Sequence, residues 1–561
     1  MATDYSRRKF LSGGLTTAAG LVLVGGGAGG LLTACGGTAA PKTPGGGGGS
    51  TSGEVTGRSS ATPKRGGTLK MGLESDFNSF APTTGQYDTS GYLYASTVFD
   101  PLMALDANGE PQPYLCQSLT PNADYTVFTM TLRPGVMFHD GTPLTSAEVV
   151  NSLTAVQHAG LTAPALTNLD TVTATDAMTV VMKTKTPWPA FPSYMAGQVG
   201  YVTSPKTIAT PAGGLKPIGT GPFIFEEWVP GSHFYATRNP NYWQKGLPYV
   251  DRVEYNTISD STSRENSLLA GTIDIMHSSD SINLRDLKGK STVQYLTDQG
   301  NNTGEPSMDM SMINTEGPVV SDLRIRQALA YGFDVDTYEK VHNFGLYEPA
   351  RGLFPGNPDY AASSKAFPTY DQAKAKQLVQ AYTQDKGKPV IEYATTNDPR
   401  NGETAQFVQQ QWQAIGMTIK IKQVEQVQLI TNALQGAFQV CGWRQFSAAN
   451  PDSNYIWWST PTAAPIGSSA LNFARNKDPL VQAALDKGRT SLNAADRLAA
   501  YQTVNERFAA DLPYLFVNRT VWGCYAAKRV QNFNGQNLPG GAKAQSFSGG
   551  VFYPTSTWLS A

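Results

Sequence analysis

Read for chemistry, the sequence offers few groupings that could make or break a bond. It contains no His-Glu-x-x-His, no Gly-x-Ser-x-Gly and no glycine loop ending in Lys-Ser/Thr. Those are the arrangements that hold a zinc ion, expose a nucleophilic serine or cradle a phosphate. The five histidines, His139, His158, His233, His277 and His342, are far apart. His139-Asp140 does set two titratable groups side by side, but a lone pair lacks the three or four ligands a metal needs. Its setting, His139-Asp140-Gly141-Thr142-Pro143, supplies turn chemistry, with Gly141 free to take positive φ. The pair therefore reads as structural. Cys116, Cys441 and Cys524 form no Cys-x-x-Cys pair. A disulfide between Cys441 and Cys524, or three buried thiols, both fit. The chain is expected not to be an enzyme and to need no metal and no cofactor.

The stretch from Trp443 to Trp458 carries side chains that could hold a ligand, each with a structural alternative. Arg444 offers a planar guanidinium that matches a carboxylate or phosphate, or else a salt bridge at a lobe surface. Asp452 reads either as a ligand-facing carboxylate or as an Asx cap after Pro451. Tyr455, Trp457 and Trp458 have flat faces on which side chains or rings can stack, or which fill a core.

The elements that position such residues follow from periodicity. Phe128, Met130 and Leu132 alternate with threonines, which predicts a half-buried strand ended by Arg133-Pro134-Gly135. Thr145-Ser146-Ala147-Glu148 is a capping box, and Val149, Val150, Leu153 and Val156 continue it at helical spacing. Ser321 is a candidate N-cap for a helix carrying Ile325, Ala328 and Leu329. Residues 373–382 and 405–415 read as amphipathic helices, and Val390 and Tyr393, like Ile419 and Ile421, as parts of short strands. Strands alternating with helices predict α/β lobes. A chain of 561 residues with 40% hydrophobic content is too long for one core and suits two.

The N-terminus reads as an export segment. Ser6-Arg7-Arg8-Lys9-Phe10-Leu11 is similar to a twin-arginine signal and precedes an uncharged, apolar, glycine-rich run over 15–32. Its glycines weigh against a retained membrane span. Leu32-Thr33-Ala34-Cys35 resembles a lipobox, which makes 1–34 a signal peptide and Cys35 the lipidated residue. Residues 35–65, rich in Gly, Ser, Thr and Pro, are expected to form a flexible tether. Cleavage removes Asp4, Arg7, Arg8 and Lys9, so the formal charge moves from −1 to −3. A near-neutral body excludes the concentrated positive charge of a nucleic-acid binder.

Several blocks then occur in a family-like order: Leu132-Arg133-Pro134-Gly135-Val136-Met137-Phe138-His139-Asp140-Gly141-Thr142-Pro143-Leu144, Gly219-Thr220-Gly221-Pro222-Phe223, Arg238-Asn239-Pro240-Asn241-Tyr242-Trp243, Asp322-Leu323-Arg324-Ile325-Arg326-Gln327-Ala328-Leu329, and Gly442-Trp443. Together they resemble the family 5 extracytoplasmic solute-binding proteins of the oligopeptide, dipeptide and nickel class. The resemblance implies a two-lobed, type II periplasmic-binding-protein-like α/β fold with a third small domain inserted in the first lobe. The first lobe would take 66–99, 218–307 and 513–561, the insertion 100–217 and the second lobe 308–512, with crossings near Gly304 and Pro513. It also implies a lipid-anchored monomer outside the cell membrane that captures peptides for the permease of an ABC importer. A non-peptide solute (an oligosaccharide, a metal chelate or an anionic metabolite) or a receptor role is the alternative. In peptide-binding relatives an aspartate three residues past the tryptophan of the Gly-Trp pair holds the peptide's free amine. Here that position is Phe446, and no gap before Pro451 restores a carboxylate, so either Asp452 is a displaced anchor or the ligand lacks the amine. The expected ligand-binding set is Trp443, Arg444, Phe446, Asp452, Tyr455 and Trp457.

Overall fold

A computed structural model describes residues 55–298, 308–354, 367–445, 450–545 and 547–560. Its framework is three sheets, each with its own apolar core. The first has seven strands in the spatial order Val293–Thr297, Gly523–Ala527, Ile275–Ser278, Thr68–Leu73, Arg252–Thr257, His233–Arg238 and Phe223–Val229. Thr68–Leu73 runs parallel to both its neighbours, and its apolar residues Leu69, Met71 and Leu73 are fully buried. The helix Thr89–Val98 packs on this sheet and starts where the Asp88 carboxylate accepts the Gly91 N–H.

The second sheet orders Thr418–Val424, Val390–Thr396, Val440–Gln445, Met308–Ile313 and Tyr514–Arg519. Its helices are capped by acidic side chains: Asp322 opens Leu323–Tyr331, Asp371 opens Gln372–Lys386 and Asp398 opens Pro399–Gln413. Asp322, not Ser321, is thus the cap of the first of these. The third sheet is antiparallel, in the order Cys116–Pro121, Val127–Leu132, Thr179–Thr184 and Leu169–Asp176, with the helix Ser146–His158 against it. The capping box forms as the sequence predicts, with Glu148 accepting the Thr145 N–H at 2.9 Å.

Three of the five blocks that carry the family resemblance meet in one knot. Buried Asp100 accepts hydrogen bonds from Thr220 Oγ1, Tyr242 Oη and Trp243 Nε1 at 2.9–3.1 Å. Burial, against those three donors, pushes its carboxyl up to about 7. Beside it the His139 ring lies between the Gly219 N–H and the Gly221 carbonyl, so His139-Asp140 is structural. Gly219 and Gly221 must be glycine, because a Cβ on either would fall within 2.1–2.5 Å of the Val98 carbonyl oxygen.

Two expectations need correction, and the alternative left open for the cysteines is decided. The last part of the expected 35–65 tether, from Val55 on, packs on the body: the Val55 N–H donates to Tyr295 O and the Asn534 N–H to Gly57 O, each at 2.9 Å. The late crossing is not at Pro513. Tyr514–Arg519 pairs with Met308–Ile313 in the second sheet, and the chain returns to the first sheet only through Thr520–Trp522. The early crossing near Gly304 lies outside the described residues. Cys116, Cys441 and Cys524 are buried free thiols, and Cys441 and Cys524 belong to different sheets.

Candidate functional site

The carboxyl ends of the strands Thr68–Leu73, Ile275–Ser278, Val390–Thr396 and Val440–Gln445 point at one cavity of about 1080 Å³. Ligands of α/β sheets gather at such ends, where the loops leave the ladder. The first lobe contributes Glu74, Asp88 and Ser279 to the wall; the second contributes Asp309, Arg400 and Arg444; Tyr194 and Gln198 come from the third domain. Trp443, Trp457 and Phe473 form an aromatic wall, with the Phe473 ring 5.3 Å and 5.4 Å from the two indoles. Gly442 lets the strand pass Tyr393, whose hydroxyl would lie 2.7 Å from a Cβ there.

Arg444 crosses the cleft. Its guanidinium pairs with the Glu74 carboxylate, donates to Ser279 Oγ and lies over the Trp522 ring, 4.3 Å from the centroid. Burial opposes ionisation of Glu74, but the Arg444 and Arg264 guanidinium groups outweigh it and hold the carboxyl below its ordinary range. His277 fixes the start of this loop: its Nε2 accepts the Glu74 N–H at 3.1 Å, which leaves the proton on Nδ1 to donate to Gly550 O at 3.0 Å. Arg400 makes a second crossing, 3.4 Å from Asp280. Asp309 sits directly opposite Arg444 in the antiparallel ladder, so the two side chains share a face. Burial, only partly offset by Arg444, pushes the Asp309 carboxyl up to about 6, and Asp88 is raised to about 6 by burial as well.

Residues 110–465 match the family model of the bacterial extracellular solute-binding proteins, family 5 (middle). The chain belongs to that family. It is 24% identical over 488 residues to the glutathione-binding protein GsiB of Pectobacterium atrosepticum, covering 84% of this chain and 90% of that one. In fold it is similar to the periplasmic binding protein DppA of Helicobacter pylori in complex with the peptide STSA, with a TM-score of 0.78 at 21% identity over 89% of this chain and 99% of the other. It is equally similar to AgaA of A. tumefaciens R10 in complex with agropinic acid, with a TM-score of 0.78 at 24% identity over 88% and 99%. These similarities establish the two-lobed α/β fold, and the chain is a solute-binding protein of the ABC-transport type. Among the described residues no helix is long and apolar enough to cross a membrane.

Within this family member the residues picked from the sequence separate. Trp443, Arg444 and Trp457 line the cavity. Phe446 lies outside the described residues, as do Arg7, Arg8 and Cys35. Asp452 does not face the cavity. Its carboxylate takes Arg489 Nε at 2.8 Å and Trp188 Nε1 at 2.9 Å, its carbonyl accepts from Tyr194 Oη at 2.7 Å, and both charges are about 95% buried. Tyr455 turns the same way, under the Arg489 guanidinium at 3.5 Å and donating to Asp486. Asp452 thus fastens the second lobe to the third domain, while Tyr455 is held within the second lobe; of the residues picked on the short helices over Pro451–Trp458, Trp457 faces the cavity. Trp458 is core.

Sequence reading missed Glu74, Asp88, Asp309 and Arg400. Asp309 did leave a signal: it is a carboxylate in the strand Met308-Asp309-Met310-Ser311-Met312-Ile313, whose other members are buried. Glu74 and Arg400 carry no local mark, since each matters only through a partner on the other lobe.

Proposed function

We propose that this chain is the extracytoplasmic binding component of an ABC importer and that its solute is a short peptide. The observation that carries the reading is the cavity. At about 1080 Å³ it exceeds the roughly 300–1000 Å³ that suits single drug-sized molecules, and it is walled by both lobes with mixed polar and aromatic groups instead of one charged cradle. A solute touching both walls favours the arrangement in which both are near, which is how binding would be signalled to a permease. The relatives named for glutathione and for the bound peptide STSA support the same class. The anionic-solute alternative loses its main support, because the Arg444 charge is already met by Glu74. To test the reading, the full chain is purified in detergent from cells grown on rich medium, denatured, and the released molecules read by mass spectrometry. Mixed short peptides are expected; one non-peptide compound would overturn the peptide assignment.

Anchoring belongs to the same proposal. Export through Arg7 and Arg8 and lipidation at Cys35 rest on the motifs. Metabolic labelling with a palmitate analogue should mark the wild type and not Cys35→Ala; equal labelling removes the anchor.

A further inference from the structure

The cations that line the cavity are all engaged. Arg264 donates to the carbonyls of Ile258 and Ser259. Arg400 is shared between Asp280, Glu403 and the His342 carbonyl, and Arg444 is held by Glu74 and Ser279. The lining carboxylates are engaged too, and among the described residues Asp309 is held least, by a hydroxyl alone. Asp88, Asp260, Asp280 and Asp398 cap helices. Asp76 accepts from Trp228 Nε1 and the Gly231 N–H, and Glu425 from Asn397. Asp309 has no cation hydrogen-bonded to it. Its cross-strand partner Arg444 turns away to Glu74 on the other lobe, and the group beside it is the neutral Thr520 hydroxyl.

We infer that the solute carries a protonated amine and that Asp309 is the carboxylate that receives it, an assignment that rests on the solute-capture reading above. The geometry favours an ammonium over a metal ion, because a single carboxylate supplies too few ligands and the described residues hold no cluster of three metal-ligating side chains. An ammonium on this face neutralises a carboxylate that burial makes costly to ionise, and the charge-assisted bond it forms is of the strong kind. The carbon body attached to that amine then meets Trp443, which is one strand position from the Arg444–Asp309 pair and lies on the cavity wall. The aromatic wall is therefore set to pack the apolar part of a solute whose charged end is at Asp309.

The test uses the full chain in detergent and a tryptic digest of casein, offered as it is and after acetylation of its amines; bound peptides are counted by mass spectrometry after gel filtration. The free digest should be retained and the acetylated one should not. Asp309→Asn should bind the free digest about ten- to hundredfold more weakly. Retention of both digests alike, or of acetylated arginine peptides alone, overturns the amine assignment and leaves the peptide reading intact. Retention of neither overturns both. The acetylation arm needs no variant, so it decides the matter even if Asp309→Asn fails to fold.

Discussion

Asp452→Asn separates what the sequence suggests of this residue from what the structure assigns to it. The substitution keeps the shape but removes the charge and one acceptor. Two donors, Arg489 Nε at 2.8 Å and Trp188 Nε1 at 2.9 Å, then compete for one oxygen, and the second meets an N–H. Arg489 and Asp452 are each only about 5% exposed and Trp188 is fully buried, so water cannot replace the lost partner. Breaking a buried pair on one side costs about 3 kcal/mol or more, and a cooperative unit of some 200 residues translates that into a fall in Tm of roughly 6–12 °C. Differential scanning calorimetry on the full chain measures it, with peptide retention followed in parallel at a temperature below both transitions. The expected result is a large thermal shift with solute affinity altered less than threefold. An unchanged Tm with solute binding abolished would refute the reasoning and return Asp452 to the role of ligand anchor. A second variant sharpens the point: Asp452→Leu combined with Arg489→Met removes both charges, so it should cost less than Asp452→Asn alone.

Glu74→Gln releases the Arg444 guanidinium, which can then swing onto Asp309, its partner in the ladder; retention of a free-amine digest should fall at least tenfold, and adding Arg444→Met should restore most of it. Trp457→Ala should weaken peptide binding about tenfold with little change in Tm, whereas Trp458→Ala, cut from a fully buried site, should cost about 3–5 kcal/mol in a melt. His277 must be neutral to accept the Glu74 N–H, and burial holds it down to about 4. Its folded value thus lies below the unfolded one, near 6.5, so its contribution is complete above pH 6.5 and is lost as pH falls toward 4, by about 3 kcal/mol at pH 4. The charged groups facing it are Glu74, Arg264 and Arg444. Asp88 and Asp309, raised to about 6, act in the opposite sense. Melts of His277→Gln against the wild type between pH 7 and pH 4 isolate the histidine, and parallel curves would contradict its assigned tautomer.

What the sequence made legible was local. The strand Val127–Leu132 and the capped helix Ser146–His158 were readable because alternation and a capping box lie within a few residues of one another. The helix Pro399–Gln413 starts six residues before the first apolar position of its stripe, Ala405, because its first turn, Pro399-Arg400-Asn401-Gly402, is polar and serves the cleft and the Asp398 cap instead of the core. The strand Tyr514–Arg519 looks like any apolar strand; its membership in the second sheet depends on pairing with residues some 200 positions earlier. The site failed to show for the same reason. Arg444, Trp443 and Trp457 stand beside a recognisable motif, but the carboxylates that decide the fate of Arg444 come from residue 74 on one lobe and from the facing strand at 309. Asp452 misled because its neighbours in sequence border the cavity while its own side chain turns toward Trp188 and Arg489.

The charges that cross the cleft bear on how this protein can work. Arg444–Glu74 and Arg400–Asp280 join the two lobes, and their side chains keep between 8% and 31% of their surface in solvent. With the lobes apart each partner would be hydrated, so bringing them together exchanges hydration for the ion pair, and for partly buried pairs the desolvation largely offsets the attraction. A closure equilibrium held by ties so offset stays near balance, and a solute that binds the closed arrangement a few kcal/mol more tightly than the open one dominates it. The buried Asp452–Arg489 fastening does a different job. Its two charges lie on one lobe and are already paired with each other, so only neutral donors, Trp188 and Tyr194, reach them from the third domain. Directional hydrogen bonds to a compensated pair fix the angle at which the domains meet without adding a charge that separation would have to rehydrate. The molecule thus keeps its most deeply buried ion pair away from the cavity and its partly solvated pairs beside it, which, on the proposed capture role, leaves the solute as the largest single influence on closure.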